Sequence, residues 1–179
     1  MVVCFIGHRK IEINDCLRSR IAKTILQLID CKFDIFLFGS ANDFDCLCWS
    51  AVRDFCKNND KLKTICYSLP HEYAFISKNE ADSIAKLCAG IVHRAITFRY
   101  FDEVRKISVG GRKSYIIRNR KMIDDSDACV FLYDENYLPP KSKNEEQNSN
   151  AVQSASGTAV AYNYAIRKNK VVINLFQND

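Results

Sequence analysis

The stretch Val2-Val3-Cys4-Phe5-Ile6-Gly7-His8-Arg9 decides the fold. Residues 2–6 are an unbroken apolar run that stops at Gly7, the signature of a strand covered on both faces. Residues 15–30 then place Leu17, Ile21, Ile25, Leu28 and Ile29 on one helical face, with Asn14 and Asp15 as capping candidates. A second apolar run, residues 33–38, stops at Gly39. Strand, amphipathic helix and strand in this order make a βαβ unit, whose helix is the crossover between two parallel strands.

The alternation continues outward. Residues 43–58 carry Phe44, Leu47, Cys48, Ala51, Val52 and Phe55 at helical spacing, and residues 62–69 read as a strand stopped by Pro70. A helix is predicted over 72–89, ending at Gly90, then a weaker strand over 95–100 and a loop over 104–112 around Gly110-Gly111. Helix 114–126, strand 128–133, helix 157–168 and strand 170–176 complete the pattern. The expected fold is α/β: a Rossmann-like, doubly wound, mostly parallel sheet with helices on both faces. A chain of 179 residues holds one domain with a full core and is short for two, so residues 1–179 read as a single domain. Residues 138–155 break the rhythm with a polar, nearly featureless tract. A flexible loop of this length is a lid over a site or a surface insertion.

Composition narrows the partners. The net charge of +5 is scattered, with no block of five or six like charges, so nucleic-acid binding is permitted but not indicated. Of the nine cysteines, Cys4, Cys48, Cys66 and Cys129 fall at apolar core positions. The odd number and the absence of a signal-peptide layout at residues 1–7 point to a reducing, cytoplasmic setting rather than a disulfide framework. With no Cys-x-x-Cys pair and with His8, His71 and His93 far apart, the spacing offers no metal site. No apolar run approaches the length of a membrane span. Apolar residues on the outer helices would support a homo-oligomer, although core and interface patterns look alike in sequence.

In an open parallel sheet, ligands bind beyond the carboxyl ends of the strands. Four loops leave those ends. In the first, Gly7 permits close backbone approach, Arg9 offers a planar fork for phosphate or carboxylate, and His8 suits a base, a ribose or proton donation. The alternative is a tight turn with two solvated side chains. The second, Gly39-Ser40-Ala41 followed by Asn42, Asp43 and Asp45, forms an amide cradle in which Asn42 and Asp43 tolerate a left-handed backbone. Its acids repel phosphate and favour a ribose hydroxyl or a base. The third is the helix bearing Arg118 and Met122, one turn apart on a shared face. The fourth is Ser156-Gly157-Thr158, where a helix of small residues begins. Uncovered N–H groups and the helix dipole there favour an anion, and a plain N-cap is the alternative.

With these pieces in order, the chain resembles the SLOG superfamily (the SMF/DprA and Lonely Guy proteins), most closely its YpsA-like branch. The matching residues are Phe5-Ile6-Gly7-His8-Arg9, Gly39-Ser40-Ala41 with Phe44-Asp45-Cys46-Leu47, Tyr115 through Met122, Asp125-Ser126-Asp127, and Ser156-Gly157-Thr158 with Ala161, Tyr164 and Ala165. The resemblance implies a nucleotide-binding domain for nucleotides or their derivatives, often in signalling or stress pathways. It departs from the family at Ser40 and Asp43, where glycines are usual, and at Ala161, where Lonely Guy phosphoribohydrolases carry a glutamate. Cleaving an N-glycosidic bond develops positive charge on the ribose and calls for a nearby carboxylate. Asp45 and Asp125 are the candidate substitutes, though their spacing gives no support.

The expected function is therefore a cytosolic nucleotide-derivative binding protein, a candidate sensor, with no cofactor beyond its nucleotide-type ligand. Gly7, His8, Arg9, Gly39, Ser40, Ala41, Asp45, Arg118, Ser156, Gly157 and Thr158 would line the site. The runner-up is a Lonely Guy type phosphoribohydrolase acting on a nucleoside monophosphate. A third class is single-stranded DNA binding of DprA type, using Arg94, Arg99, Tyr100, Arg105, Lys106 and Arg112.

Overall fold

The apolar run that opens the chain is strand β1 (Val2–Gly7), and it lies inside a six-stranded sheet. The computed structural model describes residues 1–39, 42–70, 101–111, 113–137 and 156–176. Among them the chain order is β1, α1 (Asp15–Asp30), β2 (Ile35–Phe38), α2 (Asp43–Cys56), β3 (Lys63–Ser68), β4 (Glu103–Lys106), α3 (Ser114–Asp124), β5 (Ala128–Leu132), α4 (Gly157–Arg167) and β6 (Val171–Asn174). The strands pair in the order β4-β3-β2-β1-β5-β6, and every pair is parallel.

The lack of polar alternation in β1 follows from cover on both sides. Val3 and Phe5 join Phe36, Phe38 and Val130 in one core layer against Leu17, Ile21 and Ile25 of α1 and Phe44, Cys48 and Val52 of α2. Phe5 and Phe38 stack there with ring centroids 5.1 Å apart. Cys4 and Ile6 face the other way, joining Leu37, Tyr67 and Phe131 against Met122 and Ile123 of α3 and Ala161 and Ala165 of α4. The small side chains of α4 let its backbone lie close to the sheet. The result is a doubly wound α/β fold of Rossmann-like type, with α1 and α2 on one face and α3 and α4 on the other.

Sheet order fixes where the loops diverge. From β1 the chain builds outward through β2, β3 and β4, then returns to place β5 on the opposite side of β1. The connections after β1 and β5 therefore leave toward opposite faces, and the crevice between them is the topological switch point of the sheet.

Several element boundaries shift from expectation for identifiable reasons. Helix α1 spans the predicted residues, and its N-cap is Asn14, whose side chain accepts from the Leu17 N–H at 2.8 Å. Strand β2 starts at Ile35 and not at Phe33 because Phe33 still closes the end of α1, while the Asp34 N–H already turns to the Met1 carbonyl at 3.1 Å. Lys32 is left-handed (φ 69°), and the Phe33 N–H donates to the Leu28 carbonyl at 2.9 Å. The loop expected over 104–112 is corrected: residues 103–106 are the edge strand β4, paired with β3. Its Glu103, Arg105 and Lys106 are exposed, so no apolar alternation marks it, and charges of this kind blunt a sheet edge. Asn42 is also corrected: it is an extended N-cap (φ −96°), not a left-handed residue. The helix predicted over 72–89, the strand over 95–100 and the loop 138–155 lie outside the described residues.

Cys4, Cys48, Cys66 and Cys129 are wholly buried, as expected of small core hydrophobes, and burial pushes the Cys4 and Cys48 thiols up, which keeps them protonated. Among the described residues no cysteine is disulfide-bonded, and no helix is long and apolar enough to cross a membrane.

Polar ties concentrate at the amino edge of the sheet. The Val2 N–H donates to Asp127 Oδ2 at 2.8 Å, and the terminal ammonium meets Asp34 at 2.7 Å. Tyr164 of α4 donates to the Asp124 carboxylate at 3.0 Å, joining the ends of α3 and α4. The Tyr67 hydroxyl donates to Asp125, just beyond α3, and burial together with that carboxylate pushes the phenol up to about 12. Burial alone would raise Asp125, but hydrogen bonds from Lys121 and Tyr67 outweigh it and hold the carboxyl below its usual value.

Candidate functional site

The opposite, carboxyl edge gathers the ends of β1, β2 and β5 with the starts of α2, α3 and α4. Gly7 ends β1 because nothing larger fits: a Cβ there would lie 2.4 Å from Phe44 Cδ1 and 2.8 Å from Phe44 Cβ. Phe44 belongs to the first turn of α2, so this contact brings the second loop against the first. The Asp43 N–H donates to the Arg9 carbonyl at 3.5 Å across the same junction. Asn42 caps α2 by accepting from the Asp45 N–H at 2.7 Å, and Asp45 is buried in that first turn. Ser40 and Ala41 lie outside the described residues.

His8 is 4% exposed and sits at the switch point. Its Nε2 accepts from the Asp134 N–H at 3.0 Å, which ties the end of β1 to the turn after β5. An imidazole nitrogen that accepts carries no proton, so this bond places the proton on Nδ1. Nδ1 is buried and has no hydrogen-bond partner among the described residues. The ring stacks on Tyr137 with centroids 3.8 Å apart and lies 6.1 Å from Tyr133, which in turn stacks on Tyr162 of α4.

Burial pushes the His8 imidazole below its ordinary value, with the Asp134 backbone and charge opposing. The folded protein therefore binds that proton less readily than the unfolded chain, whose histidines titrate near about 6.5. His8's contribution is complete above that value and is lost as pH falls through it toward the lower folded value. Melting curves between about pH 5 and 8 should show wild type losing stability relative to His8→Gln on the acid side. Parallel curves would contradict the assignment.

Arg118 is a further buried polar group of the edge, 4% exposed in the second turn of α3. Its guanidinium packs on the Gly39 backbone so closely that a Cβ on Gly39 would lie 3.1 Å from Cζ. The guanidinium of Arg118 lies 5.2 Å from the Tyr115 ring centroid and that of Arg9 lies 5.5 Å from the same centroid. Two guanidinium groups, one from the loop after β1 and one from α3, thus each pack on the same aromatic ring.

Ser156 caps α4 by accepting from the Ala159 N–H at 3.1 Å, while Thr158 is buried beside it. Among the described residues, a Cβ at Gly157 would meet nothing within 4 Å. Ser156→Ala should lower stability by about 1 kcal/mol, read as a shift in the urea midpoint, if the cap supports the helix. An unchanged midpoint would remove the cap's structural role. Ala161 is 2% exposed and belongs to the core layer under the sheet rather than to the loops.

The structure thus places Gly7, His8, Arg9, Gly39, Asp45, Arg118, Ser156, Gly157 and Thr158 along one edge. It directly joins Arg118 to Gly39 and links Arg9 to Arg118 through Tyr115. Three residues of this edge have no assigned role in the sequence reading: Tyr115, Tyr133 and Tyr137. Tyr115 stands three residues before Arg118, a spacing that puts both on one helical face and could have revealed the pair. Tyr133 and Tyr137 carry no such signal, because their closeness to His8 depends on β5 lying beside β1. Among the described residues, no group of three or more His, Cys, Asp or Glu side chains could hold a metal ion. No protein-family model and no curated protein matches the chain.

Proposed function

We propose that the protein binds a nucleotide or nucleotide derivative at the carboxyl edge of its sheet, as a cytoplasmic binding or sensor domain. Arg118 and Arg9 would hold phosphate, aided by the N-terminus of α4. The observation that carries this reading is the packing of two guanidinium groups, from Arg9 and Arg118, on the single ring of Tyr115, beside the switch point of a doubly wound sheet. Such a crevice is where open α/β sheets take their ligands, and paired arginines suit phosphate geometry. The ordered likeness to SLOG proteins, through Gly7-His8-Arg9, Gly39 and Ser156-Gly157-Thr158, supports the same ligand class.

Turnover is not part of the reading. Ala161 faces the core, and Asp125 is engaged by Tyr67 and Lys121 at the far end of α3 from Arg118. Neither supplies the carboxylate that glycosidic cleavage needs, which leaves Asp45, buried in the first turn of α2, as the one of the two candidate carboxylates still at this edge. The DNA-binding alternative also loses material, since Arg105 pairs with Glu103 at 2.6 Å on the outermost strand. A thermal-melt panel of nucleoside monophosphates, ADP-ribose and cyclic dinucleotides tests the proposal. A ligand at about 100 times its Kd adds about 2.7 kcal/mol, or about 5–10 °C for a chain of this size. No shift with any of them would count against nucleotide binding.

A further inference from the structure

His8 is a buried polar group that the phosphate reading leaves without a task. Its imidazole is 4% exposed, its Nε2 is occupied by the Asp134 N–H, and its Nδ1 has no acceptor among the described residues. An unmet donor in a buried position is costly, so native proteins seldom keep one without a reason. Its surroundings are aromatic rather than cationic. Tyr137 stacks on the ring and Tyr133 stands 6.1 Å away, whereas both guanidinium groups gather at Tyr115.

The turn that holds Asp134 is itself braced. The Asn136 N–H donates to Asp134 Oδ1 at 2.8 Å, and the Tyr137 N–H donates to the Asp134 carbonyl at 3.2 Å. These bonds fix the Asp134 N–H that sets the imidazole tautomer, so Nδ1 is held as a donor and cannot become an acceptor without breaking the tie.

Resting on the nucleotide reading above, we propose that His8 Nδ1–H is the specificity-determining donor of the site. Nδ1 is closed to solvent in the free protein, so the ligand's base reaches it only when the Tyr137 ring stacked on the imidazole gives way. The donor then reads an uncharged acceptor, a carbonyl oxygen or ring nitrogen. A neutral imidazole among tyrosine rings suits a flat heteroaromatic group, and the two arginines suit a phosphate on the same ligand. The site would therefore discriminate among nucleotides by base, not by phosphate alone.

Two substitutions separate the nitrogens. His8→Gln places an amide oxygen near the Nε2 position, where it can accept from Asp134, but removes the Nδ1 donor. His8→Asn keeps a donor near the Nδ1 position and removes the acceptor. The probes are AMP, GMP, CMP and UMP, with ribose 5-phosphate as the base-free comparison, titrated by calorimetry. For the monophosphate that wild type binds best, His8→Gln should weaken affinity about tenfold. Its margin over ribose 5-phosphate should shrink by the same factor. His8→Asn should retain more of that margin while melting at a lower temperature.

Nitrogen-15 spectra of histidine-labelled wild type supply a second readout, with His8 assigned by its loss in His8→Gln. The free protein should show a proton on Nδ1, whose resonance moves when the preferred monophosphate is added. A proton on Nε2, or a His8→Gln variant that binds as tightly as wild type, would overturn the inference while leaving phosphate binding intact. If wild type binds none of the monophosphates, the nucleotide reading fails and the base-reading role falls with it.

Discussion

Arg118→Ala should bind a nucleoside monophosphate about a hundredfold more weakly than wild type. Truncating one partner of a buried, hydrogen-bonded charge pair costs about 2–5 kcal/mol, and a hundredfold corresponds to about 2.7 kcal/mol. Arg118 meets the conditions for so large an effect: it is 4% exposed, wedged on the Gly39 backbone and shares Tyr115 with Arg9. Arg118→Lys separates charge from shape. A lysine keeps the positive charge but loses the planar fork, so its affinity should fall between those of wild type and alanine. Calorimetric titration of all three, with melting temperatures recorded alongside, makes the comparison. Equal affinities would remove Arg118 from the site. A loss matched in full by an unfolded fraction would assign the residue to packing.

The second large effect is expected at Gly7, and it concerns stability. Gly7→Ala adds one methyl group that would lie 2.4 Å from Phe44 Cδ1, 2.5 Å from Cγ and 2.8 Å from Cβ. Because Cβ is among the atoms struck, no rotation of the Phe44 side chain removes the clash, and α2 itself must move. Overpacking of this kind costs about 1–3 kcal/mol. Combining it with Phe44→Ala should not restore stability: Cβ remains, and emptying a wholly buried phenylalanine site costs about 3–5 kcal/mol by itself. Urea denaturation of the two single variants and the double variant tests this. A Gly7→Ala protein as stable as wild type would show that the β1–α2 junction is looser than described.

Much of this fold is legible in the sequence because the two periodicities are clean. The apolar run at residues 2–6 and the 3.6-residue spacing of Leu17, Ile21, Ile25 and Leu28 identify β1 and α1, and Asn14 marks the helix start. Strand β4 escapes the same reading because its side chains face solvent at a sheet edge and carry charge instead of alternation.

The site is legible residue by residue but not as an assembly. Arg118 stands out as an arginine among apolar neighbours on a helix, and Gly39 as a glycine at a strand end. That the first packs on the second follows from α3 lying over the face opposite α1 and α2, which periodicity does not specify. The His8–Asp134 bond spans 126 positions and exists because β5 returns to pair with β1. Pairing order is a property of the whole sheet, so Tyr133, Asp134 and Tyr137 give no local sign of their place beside His8.

The central claim is that one edge of the sheet, at the β1–β5 switch point, is a nucleotide site. Backbone amide shift mapping during titration with the monophosphate that most raises the melting temperature tests it most directly. The account predicts saturable shifts that cluster at Gly7, His8, Arg9, Gly39, Tyr115, Arg118 and Ser156 through Thr158, with the amino-edge amides of Val2 and Asp127 unmoved. Shifts confined to other surfaces, or none at saturating nucleotide, would contradict it.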